Sequence, residues 1–585
     1  MENFYITDEG NLTVRPAAKT IFKPENVLDN IIGAWSGFLG DTEYLVVALA
    51  NQNYSINGGA IKIFEPSGGS ISLIQTVNVP AGYKPSRSLF FPFQGCLYFL
   101  TDQNYWKLTK GSTFSLEEVA GYVPLVIINA SPKGGGTTFE NINRLTGYRR
   151  IQYDGDETKD YVLPEEANSV LSVTVDGVVK LPAGTFNAST HTFTFKEAPS
   201  KGINNVEFKY STEGSLANNN REKVLSMRFA EAYNGPTDTR IFLYGDGSNV
   251  CIYSGVTEAG TPSAEYFPEL FEIRVDANDS PITGMVRYQS KLIAFKPDGA
   301  FIIDYDTISL PDGSSIPAFY TRTLNRNIGN QAFGQVQSVL NYPRTIANGA
   351  VYDWKLSSYY QDERSAKIVS ESVRKTLQNA VPEKIVAYDD NVKQDYYLFL
   401  NDEAGTVLVH RYLLDAWCLY KGNSFSNVTN AGKLGDTMWF FSGVNTIRCF
   451  SDDMYDIVSD SYKTAIPAVW ESGYMDFNSY YMRKNSGYIW FSLFPETHSR
   501  MNVTVSTDRR DSYMEKTIGA NYMGYGSVSY DFWAYSSSQR PRSIRVKLKV
   551  KKYVWHKLVI SVTDPGARIT IIGYDMDMQL SSRAK

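Results

Sequence analysis

The chain has 585 residues, 43% of them hydrophobic, with 57 Lys and Arg against 62 Asp and Glu and a net charge of −5. That hydrophobic share excludes an intrinsically disordered chain, the length calls for several domains, and the acidic excess argues against a protein that grips nucleic acid by charge. Aromatic residues are abundant (40 Tyr, 31 Phe, 9 Trp), and with 44 Gly and 24 Pro they predict many short strands joined by tight turns.

The N-terminal stretch MENFYITDEGNLTVRP has no basic region followed by an apolar one, so no secretory signal is expected. Nor does any apolar run approach the length of a membrane span. Residues 1–129 then show a recurring unit: a short apolar-aromatic run, a polar turn and a second run. Tyr44–Ala48, continued through residues 51–64, is one such unit, and Cys96–Leu100 with residues 101–108 is another.

The pattern breaks after Tyr122. Gly134, Gly135 and Gly136 read as a flexible lead-in, since no Lys and Ser or Thr follow to make a phosphate cradle. Asn168–Lys180, His191–Lys196 and Asn205–Tyr210 alternate apolar with polar residues, which predicts a small inserted β-sandwich of three or four strands over 130–215.

The hairpin unit returns over 216–465, at Ile241–Tyr244, Lys291–Phe295, Tyr396–Leu400 and Met438–Phe441, each with its following turn and run. Hairpins roughly 40–60 residues apart suggest the blades of a β-propeller, interrupted by the insert. The best helical stretch is 364–379, where Ile368, Val369, Val373 and Leu377 share one face. From 466 to 585 the strands lengthen (Ala468–Phe477, Gly487–Leu493, Met501–Ser506, Ser543–Val550, Lys557–Val562, Arg568–Ile572), predicting a C-terminal β-sandwich. The fold class expected is therefore all-β.

No catalytic, cofactor-binding or metal-binding residue is assigned, and no enzyme activity or cofactor is expected. Cys96, Cys251, Cys418 and Cys449 are widely spaced and read as buried free thiols, which suits assembly in a reducing cytoplasm. His191, His410, His498 and His556 lack a neighbouring ligand at metal spacing. Asp389, Asp390, Asp452 and Asp453 are the carboxylates from which a glycosidase pair could be built, but their surroundings favour turns. Asp246, Asp298 and Asp312, each before Gly, read as hairpin turns and not calcium loops. Asn325–Asn330 and Gln361–Arg364 are either protomer contacts or solvated loops. Lys547, Lys549 and Lys551 alternate with Val546, Leu548 and Val550, which puts the charges on one face of a strand, toward solvent, an acidic partner or DNA phosphate.

Four stretches resemble structural tail proteins of tailed bacteriophages: residues 121–164, residues 173–210, the YFPE tetrapeptide Tyr266–Glu269 with its flanks, and residues 327–370. The resemblance is to propeller-containing nozzle and packaged-DNA-stabilising proteins. It implies a homo-oligomer in a six-fold ring below the portal and adaptor, anchoring fibres or other tail proteins. Genomic DNA would pass its lumen without sequence-specific binding. The implied location is the virion tail, after assembly in the host cytoplasm. The alternative is a receptor-binding or glycan-degrading tail protein.

Overall fold

Aromatic and β-branched runs punctuated by Asn-Gly, Asp-Gly and similar turns make strands nearly all of the regular secondary structure of this chain. The structure is a computed structural model and describes all residues except 52–57, 68–69, 81–84, 181–182, 213–219, 235–238, 310–314, 335, 356–364, 444, 460, 523–537 and 584–585. Two compact units result: Met1–Val27, Glu65–Ser72 and Ser370–Lys585 form one, and Leu28–Phe64 and Leu73–Val369 the other.

Five four-stranded antiparallel meanders follow in chain order, all within the second unit except Glu65–Ser72 of the first meander. The first comprises Asp29–Leu39, Thr42–Asn51, Gly59–Ser67 and Ser70–Asn78; the second, Ser88–Phe93, Cys96–Thr101, Tyr105–Lys110 and Phe114–Glu118. The third, after the insert, runs Phe229–Asn234, Thr239–Tyr244, Val250–Tyr253 and Glu272–Arg274. The fourth runs Gly284–Tyr288, Lys291–Lys296, Gly299–Ser309 and Ser315–Asn325, and the fifth Gln337–Val339, Tyr342–Ala347, Ala350–Trp354 and Ala366–Ile368. The first strands of successive meanders adjoin.

Strand alternation explains why the central strands are apolar on both faces. Leu97 and Phe99 pack with Val46, Ile61 and Ile63 of the first meander. Their sequence neighbours Tyr98 and Leu100 pack with Ile241 and Leu243 of the third. Phe242, between those two, turns the other way onto Leu292 and Ala294 of the fourth. Ile293 and Phe295 then reach Trp354 of the fifth. Each fully buried side chain of this kind contributes about 1.5–3 kcal/mol.

All six hairpins read from the sequence are the central strand pairs of meanders, with residues 52–57 of the first lying outside the described part. The pair around Asn348 and Gly349, both at positive φ (51° and 66°), completes the fifth meander and was not anticipated as a hairpin.

The insert holds more strands than the three or four expected. Among the described residues nine strands span Leu125 to Ser211 in a six-stranded and a three-stranded sheet, closed on a core that includes Tyr153, Tyr161, Phe193, Phe195 and Phe208. The Gly134–Gly136 cluster is an ordered turn at positive φ (97°, 84°, 108°) and not a flexible lead-in. A Cβ on Gly136 would lie 2.5 Å from the Ile127 side chain.

In the first unit, Val386–Asp390, Asp395–Phe399, Thr406–Arg411 and Ala416–Lys421 form a sixth meander. The seventh begins with Val428–Leu434, Thr437–Ser442 and Thr446–Ser451. Its fourth strand comes from the N-terminal region: Ala17–Phe22 pairs antiparallel with Thr446–Ser451. Residues 1–14, expected within the first propeller segment, instead form a hairpin whose second strand pairs with Thr570–Met576 of the C-terminal region. That region is two facing sheets, one including Met482–Phe494 and Arg542–Tyr553, the other Met501–Thr507 and His556–Val562. Phe4, Phe491, Val503, Val546 and Ile560 meet between them.

The amphipathic helix expected over 364–379 is not formed as such. Ala366–Ile368 is taken as the outer strand of the fifth meander, a 3-10 turn covers Glu371–Val373, and only Arg374–Gln378 is α-helical. Pairing with Ala350–Trp354 outweighs a helical face of which only Leu377 becomes buried.

Candidate interaction surfaces

The insert is held by a buried polar clamp within the second unit. Asn143 is fully buried and uses its whole carboxamide: Nδ2 donates to the carbonyls of Tyr122 and Glu265, both at 2.8 Å, and Oδ1 accepts from the N–H groups of Phe267 (3.0 Å) and Leu145 (3.1 Å). Around it, Tyr266 Oη donates to the Asn141 carbonyl at 2.7 Å, and the N–H of Arg144 donates to the carbonyl of Phe267 at 2.9 Å. Arg144 also pairs with Glu272 at 2.9 Å. The YFPE tetrapeptide is thus the receptor for residues 141–144, and Tyr122, just before the insert, joins them by donating its N–H to the Glu265 carbonyl.

Charged side chains extend the clamp. Arg150 pairs with Glu258 at 2.9 Å, and Glu140 accepts from Tyr122 Oη (3.0 Å) and the Leu125 N–H (2.6 Å). Burial pushes the Glu140 carboxyl above its ordinary value and the Tyr122 phenol up to about 12. Because Asn143, Glu140 and the Arg150 guanidinium are each bonded to more than one group, the base of the insert is cross-linked by a polar network. At the opposite end of its strands, Asn129 and Asn204 exchange hydrogen bonds at 2.6 and 2.8 Å, and Ile203 is 81% exposed beside them. Val178 and Val179 are also exposed.

A second surface belongs to the C-terminal sandwich. Tyr474, Tyr480 and Tyr481 are exposed (71%, 72% and 58%), and Tyr474 meets Trp555 edge-on with ring centroids 4.5 Å apart. The loop carrying them is fixed from below: buried Lys484 donates to the carbonyls of Ser479 (2.6 Å), Met482 (3.1 Å) and Val554 (2.8 Å). Phe477 stacks on buried His556 with centroids 5.2 Å apart. This rigid aromatic platform was not legible as a motif, since Trp555 is some eighty residues from Tyr474.

The basic strand Arg542–Tyr553 alternates as expected, with Val546, Leu548 and Val550 in the core and Lys547, Lys549 and Lys551 exposed. It is also the outer strand of its sheet and carries bulges, with Lys549 and Lys552 at positive φ (54° and 56°).

The remaining sequence candidates are not brought together. Cys251, Cys418 and Cys449 are buried and free, with burial pushing their thiols up to about 12, 11 and 11, while free Cys96 is half-buried. His191 contacts the Ala167 carbonyl at 3.0 Å, and His410 stacks on Trp417 and lies 3.2 Å from Asp415. Among the described residues no three His, Cys, Asp or Glu side chains gather as metal ligands. Asp390 accepts from the N–H groups of Val392 and Lys393, a turn role, and Asp453 accepts from Ser451. Asp246 accepts from Ser248 and pairs with Lys223, and Asp298 accepts from Asn278 and Ser280. Asp312 and Gln361–Arg364 lie outside the described residues.

Asn325–Asn330 is anchored at both ends and exposed at Arg326 and Asn327. Asn325 and Asn330 are buried, Asn325 Oδ1 accepts from the N–H groups of Asn327 and Ile328, and the Asn330 N–H donates to the Lys296 carbonyl. The segment ties the fourth meander to the fifth.

No family model matches the chain, and no curated protein matches it. Among solved structures it is similar to the computationally designed Ika8 protein, at 11% identity over 74% of this chain and 99% of that one, with a TM-score of 0.33. It is also similar to the WD40 domain of Neurospora crassa Pan2, at 8% identity over 79% of this chain and 99% of that one, again with a TM-score of 0.33.

Proposed function

We propose that this chain is a non-enzymatic structural component of a phage tail. In this reading its seven meanders are the blades of a β-propeller, with Ala17–Phe22 as the fourth strand of the last blade, carrying an inserted β-sandwich and a C-terminal one. Copies would assemble into a nozzle or hub ring below the portal and adaptor, through two different faces per subunit as cyclic symmetry requires. The net charge of −5 suits a lumen through which genomic DNA slides without being held. The insert, oriented by its clamp, would present Ile203, Val178 and Val179 to a fibre or another tail protein.

The observation that supports this reading most is that two stretches resembling the tail-protein family, residues 121–164 and Tyr266–Glu269, are far apart in sequence yet interlock in one buried device around Asn143. Cryo-electron microscopy of intact particles tests it. A six-fold ring continuous with the portal channel, with the inserts at its periphery, is the expected result. Density only as a peripheral trimer or at a fibre tip would overturn it.

A second reading, glycan recognition at the host surface, is favoured by the exposed Tyr474, Tyr480 and Tyr481 beside half-buried Trp555, because exposed aromatic faces suit the faces of sugar rings. Binding of the purified chain to a cell-wall glycan, lost in Y474A, would support it.

A further inference from the structure

Outer strands are the places where a sheet can recruit another chain, because one row of backbone N–H and C=O groups has no partner within the sheet. Among the described residues, this protein's outer strands are protected by charge, proline or brevity, with one exception. Phe114–Glu118 ends in Glu117 and Glu118, Ser315–Asn325 contains Pro317 and Arg322, and Ala416–Lys421 ends in Lys421. Arg542–Tyr553 is lysine-rich and bulged. Ser70–Asn78, sequence SISLIQTVN, is the only outer strand longer than four residues with neither a charged residue nor a proline.

This strand is also held in place. Gln75 reaches across to the outer strand of the second meander and makes two reciprocal bonds with the backbone of Phe114: Nε2 donates to its carbonyl and Oε1 accepts from its N–H, both at 2.8 Å. Val77 packs on the core between the two meanders. The other face shows Ser72, Ile74, Thr76 and Asn78 to solvent, with Ile74 49% exposed, and Leu73 is 50% exposed as well.

We infer that Ser70–Asn78 is a docking edge for a second copy of this chain, the two strands pairing antiparallel across a twofold axis at Ile74. The sequence is close to symmetric about that residue. With Ile74 opposite Ile74 of the partner subunit, Ser72 falls opposite Thr76, Leu73 opposite Gln75 and Ile71 opposite Val77. Hydroxyl meets hydroxyl and β-branched meets β-branched on matching faces, the pairings that stabilise antiparallel sheets. A one-residue slip would set each outward side chain opposite an inward one. The two meanders would merge into one eight-stranded sheet. An isologous twofold contact cannot join neighbours around a six-fold ring, so this interface stands apart from the nozzle reading.

The test uses the full chain and two readouts. Sedimentation over a concentration series should show a monomer–dimer equilibrium, weakened at least tenfold in I74K, which sets two like charges face to face at the axis. Ile74 is half-exposed, so the thermal unfolding of I74K should match that of the parent chain. For register, I74C should form an interchain disulfide with oxidised glutathione, because directly opposed Cα atoms lie about 4.5–5.5 Å apart. T76C, facing Ser72 of the partner subunit, should not exceed the parent chain's background from its own four cysteines. A chain that stays monomeric at all concentrations, a dimer indifferent to I74K, or equal crosslinking of I74C and T76C would each overturn the inference.

Discussion

Arg15 and Asp456, 441 residues apart in sequence, form a two-pronged ion pair with N–O distances of 2.7 and 2.9 Å, and both side chains are almost wholly buried. Arg15 also donates to Asn3 Oδ1 and lies over the Phe425 ring, 4.8 Å from its centroid, and Asp456 accepts from the Ala18 N–H at 2.8 Å. The pair fixes the point where the chain leaves the N-terminal hairpin and enters the seventh meander.

Removing one partner strands the other charge in the interior. D456A is expected to lose about 3–5 kcal/mol and to expose the first twenty-odd residues to protease, whereas R15M/D456L, which removes both charges, should lose less. Urea unfolding followed by tryptophan fluorescence, with limited proteolysis, distinguishes them.

His556 makes stability fall in acid. Burial, with Lys484 nearby, outweighs the Met475 backbone contact and lowers the imidazole from 6.5 to about 4. Between those two values the unfolded chain binds a proton that the folded chain refuses. Stability is therefore intact above about pH 6.5 and is lost progressively as the pH falls toward 4, by up to about 3 kcal/mol. H556F should flatten that part of the Tm-against-pH curve, and an unchanged slope in H556F would assign the acid sensitivity elsewhere.

Asn143 is the keystone of the clamp. N143A takes the side-chain partner from the Tyr122 carbonyl and from the N–H groups of Phe267 and Leu145, at about 1–3 kcal/mol for each group that water cannot reach, while the Glu265 carbonyl keeps the Tyr122 N–H. Loosening should be local, so trypsin is expected to release a fragment containing the insert while circular dichroism of the remainder holds. Global unfolding without a discrete fragment would show that the insert and its unit unfold together.

The lysines on Arg542–Tyr553 act as guards of an outer strand. K547Q/K549Q/K551Q is expected to unfold within about 0.5 kcal/mol per site of the parent but to scatter more light on storage at high concentration. Equal scattering with lost binding to an acidic tail protein would give these residues a recognition role instead.

Much of the architecture was legible because its signals are local. The hairpins at Cys96, Ile241, Lys291, Tyr396 and Met438 declare themselves by apolar runs around a turn, and the Lys547–Lys551 alternation directly predicts its buried and exposed faces. What sequence reading missed is long-range. Nothing in Ala17–Phe22 marks it as the partner of Thr446–Ser451, and Asn143 is an ordinary loop residue until Phe267 comes beside it. The helix expected over 364–379 failed because Ala366–Ile368 found a strand to pair with, a choice that helical periodicity cannot register. Of the two candidate surfaces, the YFPE side of the clamp was visible only through resemblance, and the aromatic platform not at all.

The pairing of Ala17–Phe22 with Thr446–Ser451 also sets an order on biosynthesis. The first strand leaves the ribosome more than four hundred residues before the edge it completes. At about 5–20 residues per second it waits roughly 20 to 90 seconds with its backbone unsatisfied. During translation Ala17–Phe22 is therefore a free strand beside growing sheets, and any ribosome that stalls before Ser451 leaves a product whose seventh meander is unsealed and adhesive. A cell making many copies at once has reason to keep that segment shielded until the final turn emerges.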